Sequence, residues 1–169
     1  DPPLAVAGGV AQDPATPPRP LGPQGEELPR RHKVTKRSKM SSPPLSKEEE
    51  RLGREIVDAA FAVHQALGPG LLERIYEVCF CHELAKRGIS FQRQVPVPIV
   101  YDGIRFEEGL RLDVLVEDLV ICELKAVETF NPVYIAQLLT QLKLTGKRLG
   151  FLINFNVPMI KEGIKRVVL

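Results

Sequence analysis

No apolar run in this chain approaches about 18 residues, so no segment reads as a membrane-spanning helix. Residues 1–10 also lack the basic stretch followed by an apolar one that marks a secretory leader. Cysteine is scarce: there are three, an odd number, and none forms a C-x-x-C pair. Cys79 and Cys81 lie two apart in a helical pattern, so their side chains point about 160–200° apart and cannot share a zinc. The expectation is three buried free thiols in a reducing, cytoplasmic setting. The three histidines, His32, His64 and His82, fall in a tail and on two different helices with no metal-ligand spacing, which excludes imidazole-centred chemistry. No G-x-S-x-G or G-x-x-x-x-G-K occurs, so the serine-hydrolase and P-loop readings fail. No internal repeat is present.

What is there divides unevenly. Residues 1–46 hold ten of the fifteen prolines and few large apolar side chains, too little to offset the entropy of ordering. Residues 1–45 are therefore expected to be a disordered Pro-rich tail. Six basic residues without an acid, Arg30, Arg31, Lys33, Lys36, Arg37 and Lys39, leave two readings open: an arm that touches nucleic-acid phosphates, or a solvated linker. The first methionine is Met40, and residues 1–39 are expected to stand apart from the working protein. The net charge of +2 misleads, because residues 1–46 carry seven basic and four acidic groups and leave sixteen and seventeen for the rest. A domain of net −1 contacts nucleic acid only through a local patch, for which Arg93, Arg105, Arg111, Lys143, Lys147 and Arg148 are the candidates.

From residue 46 the chain reads as one α/β domain. Ser46-Lys47-Glu48-Glu49 is a capping box opening a helix to about Leu67, with Ile56, Ala60, Val63 and Leu67 as its buried stripe. Gly68-Pro69-Gly70 breaks it, and a second helix runs from about Leu72 to Arg87 before Gly88. Three strands follow, about 90–101, 104–116 and 120–127, the first two joined by the Asp102-Gly103 hairpin turn. Gly109 marks a bulge in the long middle strand. Asn131 caps a third helix with Pro132 at its first position and Gly146 past its end. Residues 149–155, apolar without alternation, read as a strand buried on both faces and parallel to the third.

Charges rarely enter strands of this kind, because a lone buried carboxylate or ammonium costs several kcal/mol. Yet Asp113 sits in RLDVLV, and Glu123 and Lys125 sit in LVICELK. Glu123 and Lys125, two apart, share a face. Asp113 joins them only if Glu117-Asp118-Leu119 is a three-residue loop pairing Val116 with Val120. A two-residue turn would place Asp113 and Glu123 on opposite faces. The three-residue register also gathers Leu112, Val114, Val116, Val120, Cys122 and Leu124 on one apolar face, which favours it, and it requires Asp118 to adopt a left-handed conformation. Two readings of the cluster are open: a cross-strand ion pair of Lys125 with one carboxylate, or a divalent cation that relieves both acids while the lysine serves an attacking water.

Asp, a spacer of nine, then Glu-x-Lys resembles the PD-(D/E)xK nuclease superfamily, with Leu112 where the family name has proline. Gly70 to Tyr76, GLLERIY, is similar to the signature of the GxxExxY family, a small branch of that superfamily; so are Ala136-Gln137-Leu138-Leu139, Lys143-Leu144-Thr145-Gly146 and Ile153-Asn154-Phe155. The resemblance runs from about Ile56 to Val168 and implies an α-β-β-β-α-β core with a mixed sheet, here with an extra helix in front. It implies Mg²⁺ or Mn²⁺ on Asp113 and Glu123, with Glu73 and the Leu124 carbonyl as further oxygen ligands, and Lys125 as the catalytic lysine. Gln137 matches a family position, which implies that it orients the water or the scissile phosphate; Gln141, one turn on, is expected at the surface. Glu73 also suits the first turn of its helix on electrostatic grounds alone. Tyr76, one turn further, is a candidate to lean over the site and equally a core residue. The expected function is Mg²⁺-dependent hydrolysis of nucleic-acid phosphodiesters, DNA first. The alternative is a catalytically silent nuclease-fold binding or scaffold module.

Overall fold

The computed structural model describes residues 43–169, so all but the last three residues of the expected tail lie outside the described part. Helix α1 (Lys47–Leu67) opens on the capping box: Ser46 Oγ accepts from the Glu49 N–H at 3.1 Å and Glu49 Oε2 from the Ser46 N–H at 2.7 Å. Ile56, Ala60 and Val63 are buried as expected, whereas Leu67, in the last turn, stands exposed. Helix α2 spans Glu73–Lys86. Strands β1 (Phe91–Tyr101), β2 (Ile104–Val116) and β3 (Val120–Lys125) follow, then helix α3 (Val133–Thr145) and strand β4 (Leu149–Asn154). Asp102 and Gly103, at φ 50° and 73°, make the tight turn of the β1–β2 hairpin. Asn131 Oδ1 accepts from the Val133 N–H at 3.0 Å, so it caps α3 through Pro132 as the sequence predicts.

The sheet order is β1-β2-β3-β4-β5, the last strand being Ile164–Val168, with β3 and β4 parallel and every other pair antiparallel. This is the expected mixed α/β arrangement, and α3 makes the crossover between the parallel strands. A short helix α4 (Ile160–Gly163) and strand β5 (Ile164–Val168) extend it beyond expectation. The IKRVV of β5 is too short and too charged to announce itself; pairing with β4 makes it a strand. Residues of α1 and α2 form one core with Val114, Val116, Cys122 and Leu124, and Leu138 and Leu142 of α3 form the other with Leu115, Ile121 and Leu152. Adjacent residues of β3 thus serve opposite cores, which is the pleat at work. Among the described residues no helix is long and apolar enough to cross a membrane.

Candidate active site

The three-residue turn forms. Val116 pairs with Val120, Leu115 with Ile121 and Val114 with Cys122, and Leu119 N–H donates to Val116 O at 2.9 Å. Asp118 takes the left-handed conformation at φ 54°, and Glu117 does too, at 49°. Two non-glycine residues there carry strain of order 1–3 kcal/mol each. Contacts hold them in place: Glu117 exchanges hydrogen bonds with the Ser90 backbone, and Lys147 pairs with Asp118 at 2.9 Å.

The β2–β3 ladder ends at Val114 and Cys122. One step beyond, where the strands part, Asp113 stands across from Glu123, and Asp113 Oδ2 accepts from the Leu124 N–H at 2.8 Å in place of a ladder bond. The β1–β2 ladder is interrupted at the same level: Arg93 pairs with Val114 and Val95 with Leu112, while Gln94 between them is left-handed at φ 52°. That break corrects one expectation. Leu112 does not share the face of Val114 but packs in the α3 core, because the interruption resets the alternation. Glu77 of α2 holds the irregularity, with Oε1 accepting from Arg93 at 2.7 Å and Oε2 from Gln94 Nε2 at 2.9 Å. A lone Glu in a helix and a Gln in a strand gave no sequence signal for this clamp.

Glu123 is buried and both its oxygens are engaged. Lys125 Nζ donates to Oε1 at 2.7 Å, and Gln141 Nε2 donates to Oε2 at 2.9 Å. The expectation of a surface Gln141 is therefore overturned: it is 4% exposed, and its own Oε1 is buried without a partner. Gln137 is exposed and outside this bonding. Four residues of helix turn the side-chain direction by about 40° and advance about 6 Å, enough to carry one glutamine over the sheet and leave the other at the rim. Lys125 Nζ also lies 5.5 Å from the ring centre of Tyr134 on α3.

Glu73, first residue of α2, is exposed at the site's edge. Loss of water raises its carboxyl above the ordinary range, against the pull of Lys125, while Glu123 raises it further and the Ala126 N–H lowers it. Asp113 is pushed up to about 6 by burial and then by the charge of Glu123, with the Leu124 N–H and Lys125 holding it back. For Lys125 burial works against the charge, but the bond to Glu123 and the charges of Glu123, Asp113 and Glu73 outweigh it and raise the ammonium's pKa. Tyr76 does not lean over the carboxylates. Its ring is stacked on Phe155 at 4.7 Å in the core, and its hydroxyl donates to Gly68 O at 2.6 Å and accepts from the Leu71 N–H at 3.1 Å. It anchors the loop from which Glu73 emerges.

Four of the six candidate basic residues are engaged at separate places. Arg93 is clamped on Glu77, Arg105 pairs with Glu107 on the hairpin, Lys147 reaches Asp118 of the β2–β3 turn, and Arg148 donates to the carbonyls of Pro43 and Pro44. Lys147 and Arg148 precede β4, which puts them a strand length, about 16 Å, from Lys125. His64 is structural, with Nε2 2.8 Å from Val157 O. The three cysteines are free, Cys81 and Cys122 buried and Cys79 partly so.

Among the described residues no three His, Cys, Asp or Glu side chains converge as a metal-binding group, so Glu73 is not gathered with Asp113 and Glu123 into one shell. The donor set still suits a divalent cation. Two carboxylates face each other; burial and then the charge of Glu123 raise the Asp113 carboxyl, and a cation relieves that repulsion. The N–H and C=O of one strand residue point to the same edge, so the Leu124 carbonyl turns toward Asp113 as its N–H does.

A model of the PD-(D/E)XK nuclease superfamily matches residues 50–167, and the chain belongs to that superfamily. Its nucleases generally use divalent metals, and membership implies contact with nucleic acid. No curated protein and no solved structure matches the chain.

Proposed function

We propose that this protein hydrolyses nucleic-acid phosphodiester bonds with Mg²⁺ or Mn²⁺, and that DNA is its substrate. One observation carries the reading: Lys125 and Glu123, paired at 2.7 Å, sit beside Asp113 where two otherwise apolar strands part. Asp113, Glu123 and the Leu124 carbonyl would hold the cation, all hard oxygen donors suited to these ions, while Glu73 at the rim stands outside that shell in the metal-free arrangement. When bound, the cation stabilises the charge that develops on the phosphate oxygens. Lys125 stays protonated, so it serves as a hydrogen-bond donor and positive charge for the attacking water rather than as a proton acceptor. Gln141 fixes the orientation of Glu123, a task the resemblance gave to no residue at that position.

A Mg²⁺-dependent cleavage screen over single strand, duplex, junction and RNA tests the proposal. Lys125→Ala should slow cleavage about 10²- to 10³-fold, the usual cost of one well-placed donor, and Glu123→Ala should abolish it. If the wild type cuts none of the four, or both variants cut as well as it does, the catalytic reading is lost. A second reading has its own support. Lys125 and Gln141 satisfy both Glu123 oxygens without a metal, as a silent binding or scaffold module would need. Such a module would bind nucleic acid indifferently to Mg²⁺ and to Lys125→Ala.

A further inference from the structure

The loop from β3 into α3 ends on an aromatic pair. Phe130 stands 42% exposed, its ring edge-to-face with Tyr134 at 6.0 Å and 88°. Tyr134 in turn lies under the Lys125 ammonium at 5.5 Å, so Phe130 is within about 12 Å of the lysine. The loop's end is fixed, because Asn131 accepts from the Val133 N–H through its side chain and from the Tyr134 N–H through its carbonyl. A large apolar ring packed on Tyr134 and open to water, one aromatic contact from Lys125, offers apolar surface beside the candidate site. Bases in a continuous duplex are stacked on each other and present only their edges. A ring face is useful only to a base that has left the stack.

We infer that Phe130, propped on Tyr134, is a stacking platform for an unpaired nucleobase, and that the substrate carries unpaired bases next to the scissile phosphate: a single strand, an overhang or a frayed end. This inference rests on the nuclease reading of the same site. It names the strand state and not the sugar, since DNA and RNA bases present the same π-face.

The test is equilibrium binding in EDTA, where cleavage does not intervene, using fluorescently labelled single-stranded DNA, single-stranded RNA and a blunt duplex of equal length. Phe130→Ala and Phe130→Leu should each weaken binding to the single strands by about 5- to 100-fold, the value of one stacked base, and leave duplex binding unchanged. Phe130→Trp should restore it. The leucine variant keeps the apolar bulk against Tyr134, so a purely structural Phe130 would tolerate it and the tryptophan would bring no gain. If the wild type binds and the Phe130 variants bind single strands equally well, or lose single strand and duplex alike, the platform falls and the nuclease reading stands. A wild type that binds no nucleic acid here and cuts none in the Mg²⁺ screen overturns both.

Discussion

Burial and the charge of Glu123 hold the Asp113 carboxyl near a pKa of about 6, well above an unfolded aspartate, so the metal-free protein is destabilised whenever that group ionises. For an acid whose folded pKa is raised, the cost is full above the folded value, shrinks as pH falls from about 6 toward 4, and vanishes below the unfolded value. Asp113→Asn keeps an acceptor for the Leu124 N–H and removes the charge. In EDTA at pH 8 it should be more stable than the parent by about 1–3 kcal/mol, and the gain should disappear by pH 4; thermal unfolding across that range measures it. Equal stability at pH 8 would show that the site carries no such penalty. The nearby thiols shift in the same direction: burial pushes Cys81 up to about 12 and Cys122 well above its ordinary value, so neither is a nucleophile at neutral pH.

Two interruptions of regular structure, each clamped from outside, build the site at the level of elements. The Gln94 break in β1 is tied to α2 through Glu77, and the parting of β2 from β3 is bridged by Asp113. Just past the carboxyl end of β3, Asn154 Oδ1 accepts from the Val127 N–H at 3.0 Å while its Nδ2 donates to Val127 O at 2.9 Å, which directs the chain away from the sheet just after Lys125. The approach to α2 depends on Tyr76. Gly70, at φ 100°, takes a backbone conformation open to glycine, and the Tyr76 hydroxyl closes the loop onto Gly68 and Leu71. Tyr76→Phe keeps the stack on Phe155 and removes both bonds. It should cost about 1–3 kcal/mol and raise hydrogen exchange at residues 68–73 without disturbing β3. Unchanged exchange in that loop would mean that the hydroxyl does not hold it.

In the molecule as a whole the site lies at the carboxyl ends of the parallel pair β3 and β4, with α2 entering from one face and α3 from the other. A cation bound there by the folded state and not by the unfolded chain stabilises the entire domain, by about 2.7 kcal/mol at a hundred times its dissociation constant. Mn²⁺ should therefore raise the midpoint of thermal unfolding of the wild type and leave Asp113→Asn nearly unmoved, with calorimetric titration giving the same ranking. Equal shifts in both proteins would remove Asp113 from the metal site.

Sequence alone determined the order of elements through α3 and β4. Capping chemistry, the Asp102-Gly103 turn and hydrophobic period are local, and each reports the state of its own segment. It also favoured the three-residue turn and the β2–β3 register that forms, which continued one step past Val114 and Cys122 sets Asp113 across from Glu123. Tertiary structure decided the rest. Gln137 and Gln141 are four apart with similar flanks, and only the seating of α3 on the sheet selects Gln141 for Glu123. The face of Leu112 depends on a break at Gln94 that Glu77 of α2 clamps, and β5 exists because β4 had an edge to pair. Tyr134 meets Lys125 for the same reason as Gln141. Periodicity tells which residues share a side of a helix, but the roll and advance of that helix over its neighbours come from packing between segments far apart in the chain.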